Sequence, residues 1–178
     1  MVRTVTQEQY RTQAILETVP EWESSCTISH VSQEDPFGCG VACLAMLAGT
    51  SYMDARETFL RLGYGDGRPK RKPFSSNFSE LIAALSEHRL EARMMQWKGW
   101  GHVSGMGVVK VGCGPEAPVN CWHWVVVESH PAYEIVVHDP ERSLPSFGNP
   151  PLDTVFRSIS ELKPYGNWIT VRRPGHKS

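Results

Sequence analysis

Ser32-Gln-Glu-Asp-Pro-Phe-Gly-Cys-Gly-Val-Ala-Cys-Leu-Ala-Met-Leu47 falls into two parts with different physics. Ser32 to Gly38 is polar, carries Pro36 and Gly38, and predicts a turn. Cys39 to Ala48 is rich in Ala, Leu and Met and predicts a buried helix that stops at Gly49. Cys39 therefore stands at a helix start, and the flanking Gly38 and Gly40 leave the approach to its sulfur open. A thiol becomes a useful nucleophile at neutral pH when its pKa falls from about 8.5, which a helix N-terminus and a nearby imidazolium can bring about. The Cys39 backbone N–H points where an oxyanion would develop. Gln33, upstream across the turn, has the chemistry and reach to supply a second donor. Cys43, one helical turn further on, reads as a small packing residue.

The segments around this stretch place the remaining chemistry. Upstream, Cys26 to Val31 alternates well enough to predict a brief strand, and Thr6 to Glu17 predicts a short amphipathic helix ending before Pro20. Residues 1–25 are thus expected to form an N-terminal helical extension and residues 26–178 one domain. Downstream, Thr50 or Ser51 can cap a helix running to Leu62, and Asn77 or Ser79 another running to Glu87. From Glu91 the period changes to that of strands, with candidates at Met106–Val111, Cys121–Glu128, Tyr133–Asp139 and Asn167–Val171. Helices first and strands later predict an α+β fold. Alternation along Cys121–Glu128 puts His123, Val125 and Val127 on one face and Trp122, Trp124 and Val126 on the other. Asp139 ends the next strand, after a connection short enough for a hairpin, so its carboxylate can reach the His123 imidazole.

Three stretches together resemble the bacteriocin-processing, double-glycine leader peptidases and their stand-alone relatives in the papain-like cysteine peptidase superfamily. They are the one quoted above, His123-Trp-Val-Val-Val127, and Val136-Val-His-Asp-Pro140. The resemblance spans about residues 27–172 and is carried by those motifs. It implies a papain-like fold, with a helical half that bears the nucleophile packed on a C-terminal antiparallel sheet. It also implies Cys39 as nucleophile, His123 as base, Asp139 as the residue orienting the base and Gln33 as the oxyanion donor. Cleavage after small residues, a Gly-Gly pair above all, follows from the same likeness. Gly38 departs from the family pattern, which has Asp before the nucleophile, and no transporter or ATPase segment accompanies the motifs. A narrow groove beside Cys39 would be lined by Gly38 and walled by Trp97 and Trp100, which lie in a glycine-bearing loop. Trp122 and Trp124 read as core packing.

Composition limits the other classes. With 178 residues, 40% hydrophobic and 21% charged, the chain suits one globular domain, and no apolar run approaches the ~20 residues of a membrane span. A formal net charge of −1 supplies no field for phosphate backbones, and the basic cluster Arg68, Lys70, Arg71 and Lys72 reads as a solvated loop, so no nucleic-acid partner is expected. The start of the sequence lacks a secretory pattern, and five cysteines are odd in number, so a chain folded in a reducing cytoplasm with free thiols is expected. Any export would use a signal-peptide-independent route. Cys113, Cys121 and His123 lack the spacing of a zinc site, and Gly63-Tyr-Gly-Asp-Gly67 lacks the lysine of a phosphate loop, so neither metal nor cofactor is expected.

The expected activity is peptide-bond hydrolysis through a thioester acyl-enzyme, on a peptide or protein substrate. As an effector or toxin, such a chain would be restrained by a cognate inhibitor or immunity protein. Two other readings share the framework. A Cys-His-Asp triad fixes the acyl-enzyme step but not the acceptor, so deamidation or transamidation of protein glutamine stays open. An inactive peptide-binding module would have no need of the nucleophile.

Overall fold

The computed structural model describes residues 22–113, 121–151 and 155–175. Its helices are α1 (Trp22–Ser25), α2 (Cys39–Ala48), α3 (Tyr52–Arg61) and α4 (Phe78–Glu87). The strands are β1 (Glu91–Gln96), β2 (Met106–Gly112), β3 (Trp122–His130), β4 (Glu134–His138), β5 (Ser146–Phe147), β6 (Arg157–Ser158) and β7 (Pro164–Arg172). The strands form one sheet in the order β1-β7-β2-β3-β4-β5-β6, antiparallel throughout except for the β5–β6 pair. The expected α+β architecture, with the helices ahead of an antiparallel sheet, is what the chain adopts.

Local signals set the helix ends. Ser51 caps α3 by accepting from the Asp54 N–H, and Asn77 caps α4 in a capping box closed by Glu80. Gly49 ends α2 at φ 66°, a left-handed conformation that costs glycine nothing, and its N–H returns to the Ala45 carbonyl. α2 is buried from Gly40 to Leu47, on all sides, because it is the central layer between α3, α4 and the sheet.

Alternation along β3 separates two cores. Trp124 and Val126 join Val41, Leu44 and Leu47 on the α2 side, whereas Val125 and Val127 join Val109, Val111 and Trp168 on the other. Trp124 is fully buried, and its indole N–H donates to the Ser76 carbonyl at 3.2 Å.

Three expectations are corrected. Cys26–Val31 is not a strand. Its polar groups bond to side chains and to the β4 end instead of a ladder: the Thr27 N–H donates to Glu128, and His30 Nε2 meets the Asp139 carbonyl at 3.0 Å. The basic loop is only partly solvated, since Arg68 and Arg71 both pair with Glu80, at 3.1 and 2.7 Å, and brace the start of α4. Nor are all the cysteines free. Cys113 and Cys121 form a disulfide across the loop end of the β2–β3 hairpin, which removes both from any metal set. The helix expected over Thr6–Glu17 lies outside the described residues.

Candidate active site

The site forms where β4 leaves β3. Pairing of the two strands begins at Val126↔His138, so the β3 edge at His123 and Trp124 is open. The first turn of α2 fills that opening and brings Cys39 against the backbone N–H of Trp124. His123 projects from the same edge, largely buried, and its Nε2 lies 3.6 Å from Asp139 Oδ2. Asp139 follows β4 directly. Its Oδ1 accepts from the Glu141 N–H at 3.0 Å, and Arg142 Nε lies 3.5 Å from its Oδ2, so the carboxylate is held toward the imidazole. The Gln33 N–H donates to the Pro140 carbonyl at 3.0 Å, which fastens the turn before Cys39 to the turn after β4.

The structure thus brings Cys39, His123, Asp139 and Gln33 to one edge of the sheet, from segments more than a hundred residues apart in the case of Gln33 and Glu141. Two features were not legible in the sequence. Glu141 reaches in, with Oε1 accepting from Gln33 Nε2 at 3.3 Å and Oε2 3.7 Å from His123 Nδ1. Among the described residues no hydrogen bond joins Cys39 to His123. The sequence signal for Glu141 is only its position, next but one after Asp139. The second feature is the thiol itself. Burial pushes the Cys39 thiol up, the nearby charge of Glu141 adds to the rise, and the backbone N–H groups of Trp124, Gly40 and Cys39 oppose it without prevailing. The lowered thiol pKa expected from the helix start is therefore not a property of this resting arrangement.

Glycine at position 38 has a steric cause. Its φ of −86° suits any residue, but a Cβ there would run into the Tyr52 hydroxyl and come within 3.1 Å of the Asp35 carbonyl. Tyr52 donates to Asp35 Oδ2 at 2.8 Å and accepts from the Asp35 N–H, and Arg56 Nε meets the same carboxylate at 3.0 Å. The cluster fixes the turn that aims Cys39. Gly38 is buried under it, beneath the surface on which substrate contact was expected. Gly38→Ala is expected to push Tyr52 off Asp35 and cost about 1–3 kcal/mol, the usual range for overpacking, measured as a lower denaturation midpoint. An unchanged midpoint would show that the Tyr52 ring yields freely.

Trp97 and Trp100, expected at the groove wall, pack edge to face with centroids 5.0 Å apart, and Trp97 meets Trp168 at 6.0 Å. Both lie against the Val125–Val127 core. Trp122 packs edge to face on Trp124 at 5.0 Å, on the α2 side.

Cys26, Glu128 and His138 converge within 4.8 Å of one another. Glu128 is 2% and His138 1% exposed. The donors are committed to each other: Thr27 gives its N–H and hydroxyl to Glu128 Oε2, and His138 Nε2 lies 2.9 Å from Oε1. Burial pushes the Glu128 carboxyl up, but the bonds from His138 and Thr27 outweigh it and hold the group below its ordinary value. Burial and the Glu128 charge push the Cys26 thiol up to about 12. His138 Nδ1 is buried without a partner, whereas a metal-bound histidine ordinarily donates its second N–H. The cluster is a polar tether between the N-terminal segment and the sheet.

This architecture defines the class: the chain has the fold of papain-like peptidase domains. Two solved structures share it. The peptidase domain of Streptococcus ComA, a bi-functional ABC transporter involved in a quorum-sensing pathway, superposes with a TM-score of 0.52 at 18% identity, covering 81% of this chain and 97% of that one. A double-glycine-motif protease from an AMS/PCAT transporter, solved in complex with its leader peptide, gives a TM-score of 0.51 at 17% identity, covering 83% of this chain and 92% of that one. The sequence matches no family model and no curated protein.

Proposed function

We propose that the chain is a cysteine peptidase that hydrolyses a peptide bond through a thioester. The observation that carries this reading is the Asp139–His123 pair set at the open edge of β3, where the start of α2 presents Cys39 and the Gln33 side chain arrives from the other direction. The buried Asp139 carboxylate faces Nε2 of the ring, which leaves Nδ1, beside the exposed Glu141, for proton transfer. Cys39 Sγ attacks the substrate carbonyl carbon as its proton passes to His123. The oxygen takes the negative charge between the Cys39 N–H and Gln33 Nε2. Collapse breaks the C–N bond, and His123 gives its proton to the leaving amine. Water, deprotonated by His123, then attacks the thioester, and the acid leaves as the thiol regains its proton.

Both neighbours described above are peptidase domains, one of them a double-glycine-motif protease in complex with its leader peptide, which supports a peptide substrate with a Gly-Gly site. The Cys113–Cys121 disulfide suits work in an oxidising compartment, in keeping with an exported effector.

Mass spectrometry of a Gly-Gly peptide incubated with the protein tests the proposal. A fragment pair supports hydrolysis, a one-dalton gain on a glutamine peptide would replace it with deamidation, and binding without any mass change would replace it with a recognition module. Substituting Val for either Gly is expected to lower kcat/KM by at least about 10²-fold, ~2.7 kcal/mol, if the groove beside Cys39 admits no branched side chain. Equal cleavage of Gly-Gly and Val-Val peptides would remove the specificity and leave the chemistry.

A further inference from the structure

Glu141 stands on the ground that a reacting acyl group needs. One carboxylate oxygen takes the Gln33 amide at 3.3 Å, and the other lies 3.7 Å from His123 Nδ1. The proposed chemistry uses both of those groups, the amide for the oxyanion and Nδ1 for the proton, and has no use for Glu141. A carboxylate has the charge of the tetrahedral oxyanion and the shape of the acid left after cleavage. We propose that Glu141 is a built-in competitor of the substrate acyl group, occupying the oxyanion donor and the base in the free enzyme until substrate displaces it. This rests on the peptidase reading above.

The hold is weak by design of its surroundings. The Glu141 side chain is 56% exposed, and exposed ion pairs are worth about 0–1 kcal/mol, which is at most about fivefold in an equilibrium. Substrate gripped along several residues would outcompete it. Glu141 also lines an open cleft with Arg142, Leu144 and Arg157, whose half-exposed guanidinium groups, one beside Asp139 and the other beside Glu161, could share the displaced carboxylate. The charged and titratable groups around it are His123 from β3, Cys39 from α2, Asp139 and Arg142 from its own turn, Arg157 from β6, and His30, which meets the Asp139 carbonyl. The effect of Glu141 on the thiol agrees with the geometry, since its charge opposes ionisation of Cys39.

The test compares wild type with Glu141→Gln and Glu141→Asp, using two independent readouts. The first is alkylation of Cys39 by limiting iodoacetamide, mapped by mass from about pH 6 to 11, a range that extends above the ordinary thiol value. The second is hydrolysis of a Gly-Gly peptide. With Glu141→Gln the alkylation midpoint should move to lower pH and the neutral-pH rate should rise about three- to fivefold. KM should fall by a similar factor with kcat unchanged, the signature of removing a competitor from the free enzyme. Glu141→Asp keeps the charge but loses the reach to span both groups. Its KM should therefore match that of Glu141→Gln, while its alkylation midpoint stays nearer wild type. Unchanged KM and alkylation in both variants would overturn the proposal, and so would a raised KM, which would make Glu141 a substrate contact. If no form hydrolyses the peptide, the peptidase reading falls, and the alkylation comparison still decides whether Glu141 occupies the site.

Discussion

Purified Cys39→Ala protein should melt as wild type does and hydrolyse no Gly-Gly peptide, and His123→Ala should match it. Removing the nucleophile or base of a triad hydrolase costs on the order of 10⁶-fold in kcat, and removing both costs little more, because they act as one unit. The double variant should accordingly be no worse than either single one. The fold should survive, since Cys39 only edges the α2-side core and His123 sits at the strand end where β4 has already departed. A mass-mapped control keeps the assignment specific. Cys43 is fully buried, the Cys26 thiol is pushed up to about 12 by burial and Glu128, and Cys113 and Cys121 are joined, so limiting alkylation should reach Cys39 first. Folded Cys39→Ala protein that still cleaves peptide would end the assignment.

Glu128→Ala should produce a clear loss of stability although it lies outside the site. The carboxylate takes two bonds from Thr27 and one from His138, and the buried His138 would be left without an acceptor while the exposed Thr27 could turn to water. Leaving a buried group without its hydrogen-bond partner costs about 1–3 kcal/mol, which for a domain of this size is roughly 2–12 °C in Tm. The same group sets a pH dependence. Its folded pKa lies below the ordinary carboxylate value, so the unfolded chain binds the proton more tightly. The stability it supplies is present above the ordinary carboxylate pKa and drains away as pH falls through the lowered one. Acid titration of the unfolding midpoint should show this loss in wild type, and its absence in Glu128→Ala. A variant as stable as wild type at neutral pH would show that the tether contributes nothing net.

What the sequence determined by itself was the part of the protein written in short-range physics. The helix from Cys39 to Ala48, the Asn77–Glu80 capping box and the two faces of β3 each depend on residues within a turn or two of one another, so periodicity and cap chemistry suffice to read them. Gln33, Cys39, His123 and Asp139 stand out as candidates through their types, their local settings and the motifs that resemble a known family, and it is the tertiary structure that gathers them at one sheet edge. Tertiary structure decided everything that depends on how distant segments meet. Cys26–Val31 has strand-like alternation but finds its partners in Glu128 and Asp139 rather than a ladder. Cys113 and Cys121 became a disulfide only when the hairpin brought them side by side. Glu141 reads as an ordinary surface acid after a turn, yet closure of the sheet onto the Gln33 turn sets its carboxylate between the amide and the imidazole. The thiol follows the same logic: its helix-start position is local, but its raised pKa comes from burial by the surrounding layers and from the charge of Glu141, neither of which local sequence encodes.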